Sequence, residues 1–172
     1  MSTGRTMMDE RHTWELLRRG GTERRETGAT KYNGLADPLG AEELAQRLAA
    51  LVRALAPTAI LVWQDPEDVL LGYVVGRELS VPVIRAYDAE GLVGHSAGLP
   101  DDPRVVLIVD AVRDSTVVRA VRALTEQRGG SLAATAVLVE TPELRAVANE
   151  AGLILSLVRI ADVPGGSRAG GS

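Results

Sequence analysis

The 172-residue sequence contains no cysteine and no phenylalanine, only two tryptophans and two histidines, and a single lysine, Lys31, among 19 basic residues. Each scarcity closes off a kind of chemistry. Without cysteine there is no disulfide framework, thiol nucleophile or thiolate metal site, and two histidines cannot build a zinc cluster. Any mechanism that needs a lysine has one candidate. No Gly-x-Ser-x-Gly elbow and no Gly-x-x-x-x-Gly-Lys loop occurs, so the hydrolase and P-loop signatures are missing. Positive charge is not in surplus: 23 acidic residues against 19 basic ones leave a formal charge of −4, which argues against nucleic acid or an anionic membrane as partner. No apolar run reaches transmembrane length, and the polar start Met1-Ser-Thr-Gly-Arg-Thr lacks a signal-peptide core, so a cytoplasmic protein is expected.

What is present suits one α/β domain. Hydrophobic residues make up 45% of the chain, enough for a single sizeable core built from Val, Leu and Ala, but the length leaves no room for a second full domain. The organising stretch is 104–121. Val105 to Val109 is an unbroken aliphatic run, the mark of a strand buried on both faces of a parallel sheet. It ends in Asp110. After a short polar loop, Ser115 or Thr116 is placed to cap a helix with Val117, Val118, Val121 and Leu124 as its apolar stripe. At such a strand–loop–helix junction the exposed N–H groups of the helix attract anions, above all phosphate.

The same reading along the chain predicts a helix over 9–19, a turn at 37–40, a helix over 41–55, a strand at 59–63, a helix over 69–79 and a strand at 82–87. Three Gly and two Pro mark 88–103 as an exposed loop, with a short hairpin across 92–95. A strand over 132–139, a helix over 142–151 opened by Thr141 and a last strand over 153–160 follow. Residues 1–8 and the Gly- and Ser-rich tail 164–172 are expected to be disordered, which leaves one domain over 9–163.

The junction at 104–121 resembles the phosphoribosyl pyrophosphate (PRPP) loop of type I phosphoribosyltransferases, orotate phosphoribosyltransferase in particular. Asp110 matches the first acid of the family pattern and Val112 its hydrophobic position. Ala111 stands where the second acid belongs, and the turn Arg113-Asp114-Ser115-Thr116 is about two residues short and has no glycine. The resemblance implies a parallel-sheet phosphoribosyltransferase-like fold, with a small N-terminal hood over 9–40 on a core over 41–163. The segment Thr27-Gly28-Ala29-Thr30-Lys31-Tyr32-Asn33 matches the part of the hood that covers the substrate. On this pattern Asp110, Arg113, Asp114, Ser115 and Thr116 are the candidate ligand- and phosphate-binding residues.

The remaining family positions are altered as well. Asp65, Glu67 and Asp68 occupy the place of the Gly-rich pyrophosphate loop, where carboxylates cap a helix well but repel pyrophosphate unless a cation lies between them. Asp65, Asp68 and Asp110 are accordingly the candidate magnesium ligands, since hard oxygen donors suit that ion. Arg85 keeps the basic position after the preceding strand, and His95 is the sole acid–base candidate on the long loop. The catalytic candidates are thus Lys31, Arg85 and His95. The expectation is a phosphoribosyltransferase-like pseudoenzyme with an eroded PRPP site, acting as a binding, regulatory or partner subunit. The alternative is an active enzyme of nucleotide metabolism that transfers phosphoribose to orotate or a related base with magnesium. The family also implies a phosphate-containing small molecule as ligand, and a homodimer or a hetero-oligomer with a related subunit.

Overall fold

The computed structural model describes residues 7–24, 30–90, 92–112 and 114–159. The chain opens with helix α1 (Met7–Gly20) and a two-stranded antiparallel hairpin, β1 (Thr22–Arg24) with β2 (Thr30–Tyr32). Then follow α2 (Pro38–Val52), β3 (Ala59–Val62), α3 (Pro66–Leu79), β4 (Val83–Ala89), β5 (Leu92–His95) and β6 (Arg104–Val109). The chain continues through α4 (Ser115–Glu126), β7 (Ser131–Glu140), α5 (Pro142–Ala146) and β8 (Leu153–Arg159). Six strands form one sheet in the order β5-β4-β3-β6-β7-β8, parallel throughout except for β5.

The aliphatic runs explain this sheet. Because side chains alternate across a strand, Ile60 and Val62 of β3 and Val106 and Ile108 of β6 face one side, where α1, α2 and α3 cover them through Leu16, Leu44, Leu48, Leu71 and Val75. Ala59, Leu61, Val105, Leu107 and Val109 face the other side, against α4 and α5 through Val118, Val121 and Leu144. Such double-sided burial requires a run without polar interruption, and that is what 105–109 provides. Gly72 and Gly76 let α3 lie close to the sheet, since a methyl group at either would overlap Val62 or Val83.

Helix ends follow the local chemistry. Asp37 caps α2 by accepting the Gly40 N–H at 3.2 Å, and Pro38 and Pro66 open α2 and α3. Both helices therefore begin about three residues before the apolar periodicity does. Residues 53–55 form a 3-10 turn rather than the end of α2, and the last expected helix closes as turns after Ala146.

One expectation needs correction. Residues 88–103 are not one open loop: β4 runs on to Ala89 and pairs with β5, Ala89 opposite Leu92, so only two residues join them. A link that short cannot make a parallel crossover, and the strand returns antiparallel as a sheet edge. Leu99, further along, is buried in the core. Leu16 and Leu17 of α1, within the span expected as the hood, belong to the main core. Of the expected hood segment, 27–29 lie outside the described residues, as do 1–6 and 160–172. Among the described residues no helix is long and apolar enough to cross a membrane.

Candidate functional site

The strand order places the topological switch point between β3 and β6, so the crevice for a ligand lies beyond their carboxyl ends. There the segment after β3, with Asp65, Glu67 and Asp68, meets Asp110 at the end of β6. The two halves are joined directly: Asp68 Oδ1 accepts the Asp110 N–H at 2.8 Å, and both residues are only 4% exposed. Asp68 is therefore a brace between two strand ends, a role that its position in a helix-capping triplet concealed.

The Asp110 side chain is committed to the protein. Oδ1 accepts the Ala111 N–H at 2.7 Å, and Oδ2 accepts the Tyr32 N–H of β2 at 3.3 Å. Its carbonyl takes the N–H groups of Leu138 and Val139, and the Val112 carbonyl accepts the Thr141 hydroxyl. The loop after β6 is thus tied to the hairpin on one side and to β7 on the other. Tyr32 packs so closely on Gly20 that a methyl group there would overlap its ring. Its hydroxyl is buried without a hydrogen-bond partner among the described residues. Burial pushes its pKa up to about 12, with the Asp37 carboxylate adding to the shift and Arg19 opposing it.

Asp65, Asp68 and Asp110 do not fit a magnesium ion. Among the described residues no group of three or more acidic or histidine side chains could hold a metal, and three of the carboxylate oxygens involved point at backbone N–H groups. Each such N–H takes one lone pair and turns a positive hydrogen towards the place where a cation would sit.

At the start of α4 the cap is Asp114, not Ser115 or Thr116. Its Oδ1 accepts the Thr116 N–H at 2.9 Å and its carbonyl the Val117 N–H at 3.3 Å. Hydrogen bonds from the Thr116 hydroxyl and N–H hold the Asp114 carboxyl below the usual range, and the Arg119 charge adds to this. Ser115 and Thr116 are the first helical residues, and the chain's own carboxylate takes an N–H that an anion would use. Arg113 lies outside the described residues.

Arg85 lines a cleft at the edge of the crevice. With Gln64, Asp65, Pro66 and Tyr87 it borders a cleft of about 590 Å³ at the ends of β3 and β4. Its backbone is fixed on the hairpin, N–H to Ser96 Oγ at 3.0 Å and carbonyl to Ser96 N–H at 2.9 Å, while its guanidinium sits 6.0 Å from the centre of the Tyr87 ring. Gly94 permits this arrangement, because a side chain there would meet the Tyr87 ring at 2.6 Å. His95 is one strand over, on edge strand β5 opposite Ala86, with Nδ1 2.7 Å from the Ala97 carbonyl. Lys31 is in β2, its backbone opposite Glu23. Gln64, Tyr87 and Ser96 were not among the residues expected at the site, and Tyr32 was expected only as part of the segment covering a substrate. Pairing β4 with β5 across a two-residue turn would have brought Ser96 to Arg85; nothing local pointed to the contact between Tyr32 and Asp110.

No family model matches the chain, and no curated protein matches it either. Solved structures do. Adenine phosphoribosyltransferase from Thermoanaerobacter pseudethanolicus superposes with a TM-score of 0.70 at 15% identity, over 86% of this chain and 99% of its own. Orotate phosphoribosyltransferase from Aeropyrum pernix gives 0.66 at 17% identity, over 87% and 93%. The orotate enzyme of Mycobacterium tuberculosis, solved with inorganic phosphate, gives 0.65 at 17%, over 90% and 98%. The fold is that of the type I phosphoribosyltransferases, as the junction at 104–121 led us to expect.

Proposed function

We propose that this chain is a phosphoribosyltransferase-fold protein that does not transfer phosphoribose and instead serves as a binding, regulatory or partner subunit. The observation that carries this reading is the state of Asp110. An acid that holds ribose hydroxyls must present its oxygens to the crevice, whereas Asp110 is only 4% exposed and each of its oxygens already accepts a backbone N–H. Three further features support the same reading. Ala111 supplies no second acid, α3 starts at Pro66 with no glycine turn before it, and Asp114 fills the start of α4.

Calorimetry with PRPP and magnesium tests the proposal, together with a product assay over a panel of bases that includes adenine and orotate, the bases in the names of the similar structures. Micromolar or tighter PRPP binding with turnover of any base overturns it. The second reading, an active enzyme, is favoured by the open cleft beside Arg85, where a departing anion could meet a guanidinium. A nucleotide product from any base would establish that reading. The proposed subunit role further expects a dimer with itself or with a related chain, which co-expression and sizing address.

A further inference from the structure

We infer that Arg145 and Arg159 form an oxyanion-binding site organised by the buried carboxylate of Glu140, at the carboxyl end of β7 and β8. Glu140 ends β7, and Arg159 stands opposite it in the register of β8. Arg145 reaches the same carboxylate from α5. Its Nε donates to Oε1 at 2.6 Å, Arg159 Nε lies 3.2 Å from Oε2, and the Ser156 hydroxyl donates to Oε2 at 3.3 Å. The carboxylate side chain is 10% exposed, while the two arginine side chains are 50% and 60% exposed.

A buried carboxylate needs one positive partner, and here it has two. The cluster therefore carries a net charge of +1, and Glu143 on the same short helix makes no ion pair with either arginine. Each guanidinium faces the carboxylate through Nε, and neither makes another hydrogen bond or ion pair among the described residues. Their terminal N–H groups are left for solvent or a ligand. Two half-exposed guanidinium forks fixed by one shared anchor suit an anion with two oxygens on one centre, a phosphate or a carboxylate, because the fork matches that geometry and its ordering is already in place. The cluster is on the same rim of the sheet as the loop after β6, whose Val112 carbonyl accepts the hydroxyl of Thr141, the residue after Glu140. An anion there would lie beside the crevice without using Asp110.

The test is an NMR titration of the full chain, reading the arginine Nε–Hε signals against inorganic phosphate and, separately, acetate, with chloride holding the ionic strength. We expect saturable shifts at Arg145 and Arg159 but not at Arg122, which is paired with Glu126. Arg145→Gln and Arg159→Gln should each weaken binding tenfold or more. Glu140→Gln, whose amide oxygen can still anchor a guanidinium while the competing negative charge is gone, should keep or tighten it. Saturation by phosphate alone, by acetate alone or by both supports the site and names the group it takes. No saturable shift overturns it, as does a shift seen only in Glu140→Gln, which would mean that the arginines serve solely to neutralise the acid. Equal shifts at every arginine overturn it too. Failure of the non-catalytic reading would show in the PRPP and product assays, which do not read these two residues.

Discussion

Replacing Asp110 by Asn separates a structural acid from a substrate-binding one. In the folded chain Oδ1 takes the Ala111 N–H at 2.7 Å and Oδ2 the Tyr32 N–H at 3.3 Å. Asparagine offers one oxygen and one NH2 group, so one of these N–H groups must face another donor. The shorter bond keeps the oxygen, and the loss falls on Tyr32. A buried N–H left unpaired costs about 1–3 kcal/mol. At about 2–4 °C per kcal/mol for a chain of this size, the thermal midpoint should fall by about 2–12 °C. Because the Tyr32 contact is what ties the hairpin to the core at this point, exchange of the Tyr32 amide should speed up by about 5–150-fold, the factor that corresponds to the same free energy. Thermal unfolding followed by circular dichroism and native-state hydrogen exchange read both effects. If Asp110 instead serves a substrate, Asp110→Asn should remove activity at an unchanged midpoint. An unchanged midpoint together with unchanged Tyr32 protection would refute the argument that this acid is spent on the fold.

Three further outcomes are expected. Tyr32→Phe deletes a buried hydroxyl that has no partner among the described residues, a group that costs about 1–3 kcal/mol to bury, so it should leave the midpoint unchanged or raise it. Since the phenol is pushed up to about 12 in the folded chain, its titration leaves stability unaffected below pH 10 and lowers it as the pH rises from 10 towards 12; Tyr32→Phe should flatten that loss in thermal scans. Gly72→Ala forces a methyl group into Val62 and should destabilise the chain by about 1–3 kcal/mol in urea titrations, whereas Gly98→Ala, with open space around it, serves as the neutral control. Millimolar phosphate should shift the amides of Ser115 to Val118 only weakly in wild type, less in Arg113→Ala and more in Asp114→Ala, where the competing carboxylate is gone; a stronger response in wild type than in Asp114→Ala would contradict the cap assignment.

The sequence by itself determined the layers. The short, β-branched apolar runs at 59–62 and 105–109 read as strands covered on both faces, and the 3.6-residue stripes of α2 and α4 as faces turned to a core, because burial acts on each residue through local periodicity. The strand-end position of Asp110 and the missing second acid were legible for the same reason, and they pointed to the fold that the solved structures share. The fate of each polar group was decided in tertiary structure. Asp110 meets Tyr32 across 78 positions and Asp68 across 42, and Glu140 gains Arg159 only through the register of β7 with β8. A hydrogen bond is specific over about 3 Å, so which N–H a carboxylate receives depends on where several elements come to rest together. Spacing along the chain carries no record of that. The sequence could therefore name the acids at the mouth of the sheet, and only the packed structure could show that Asp68, Asp110 and Asp114 bind the protein itself.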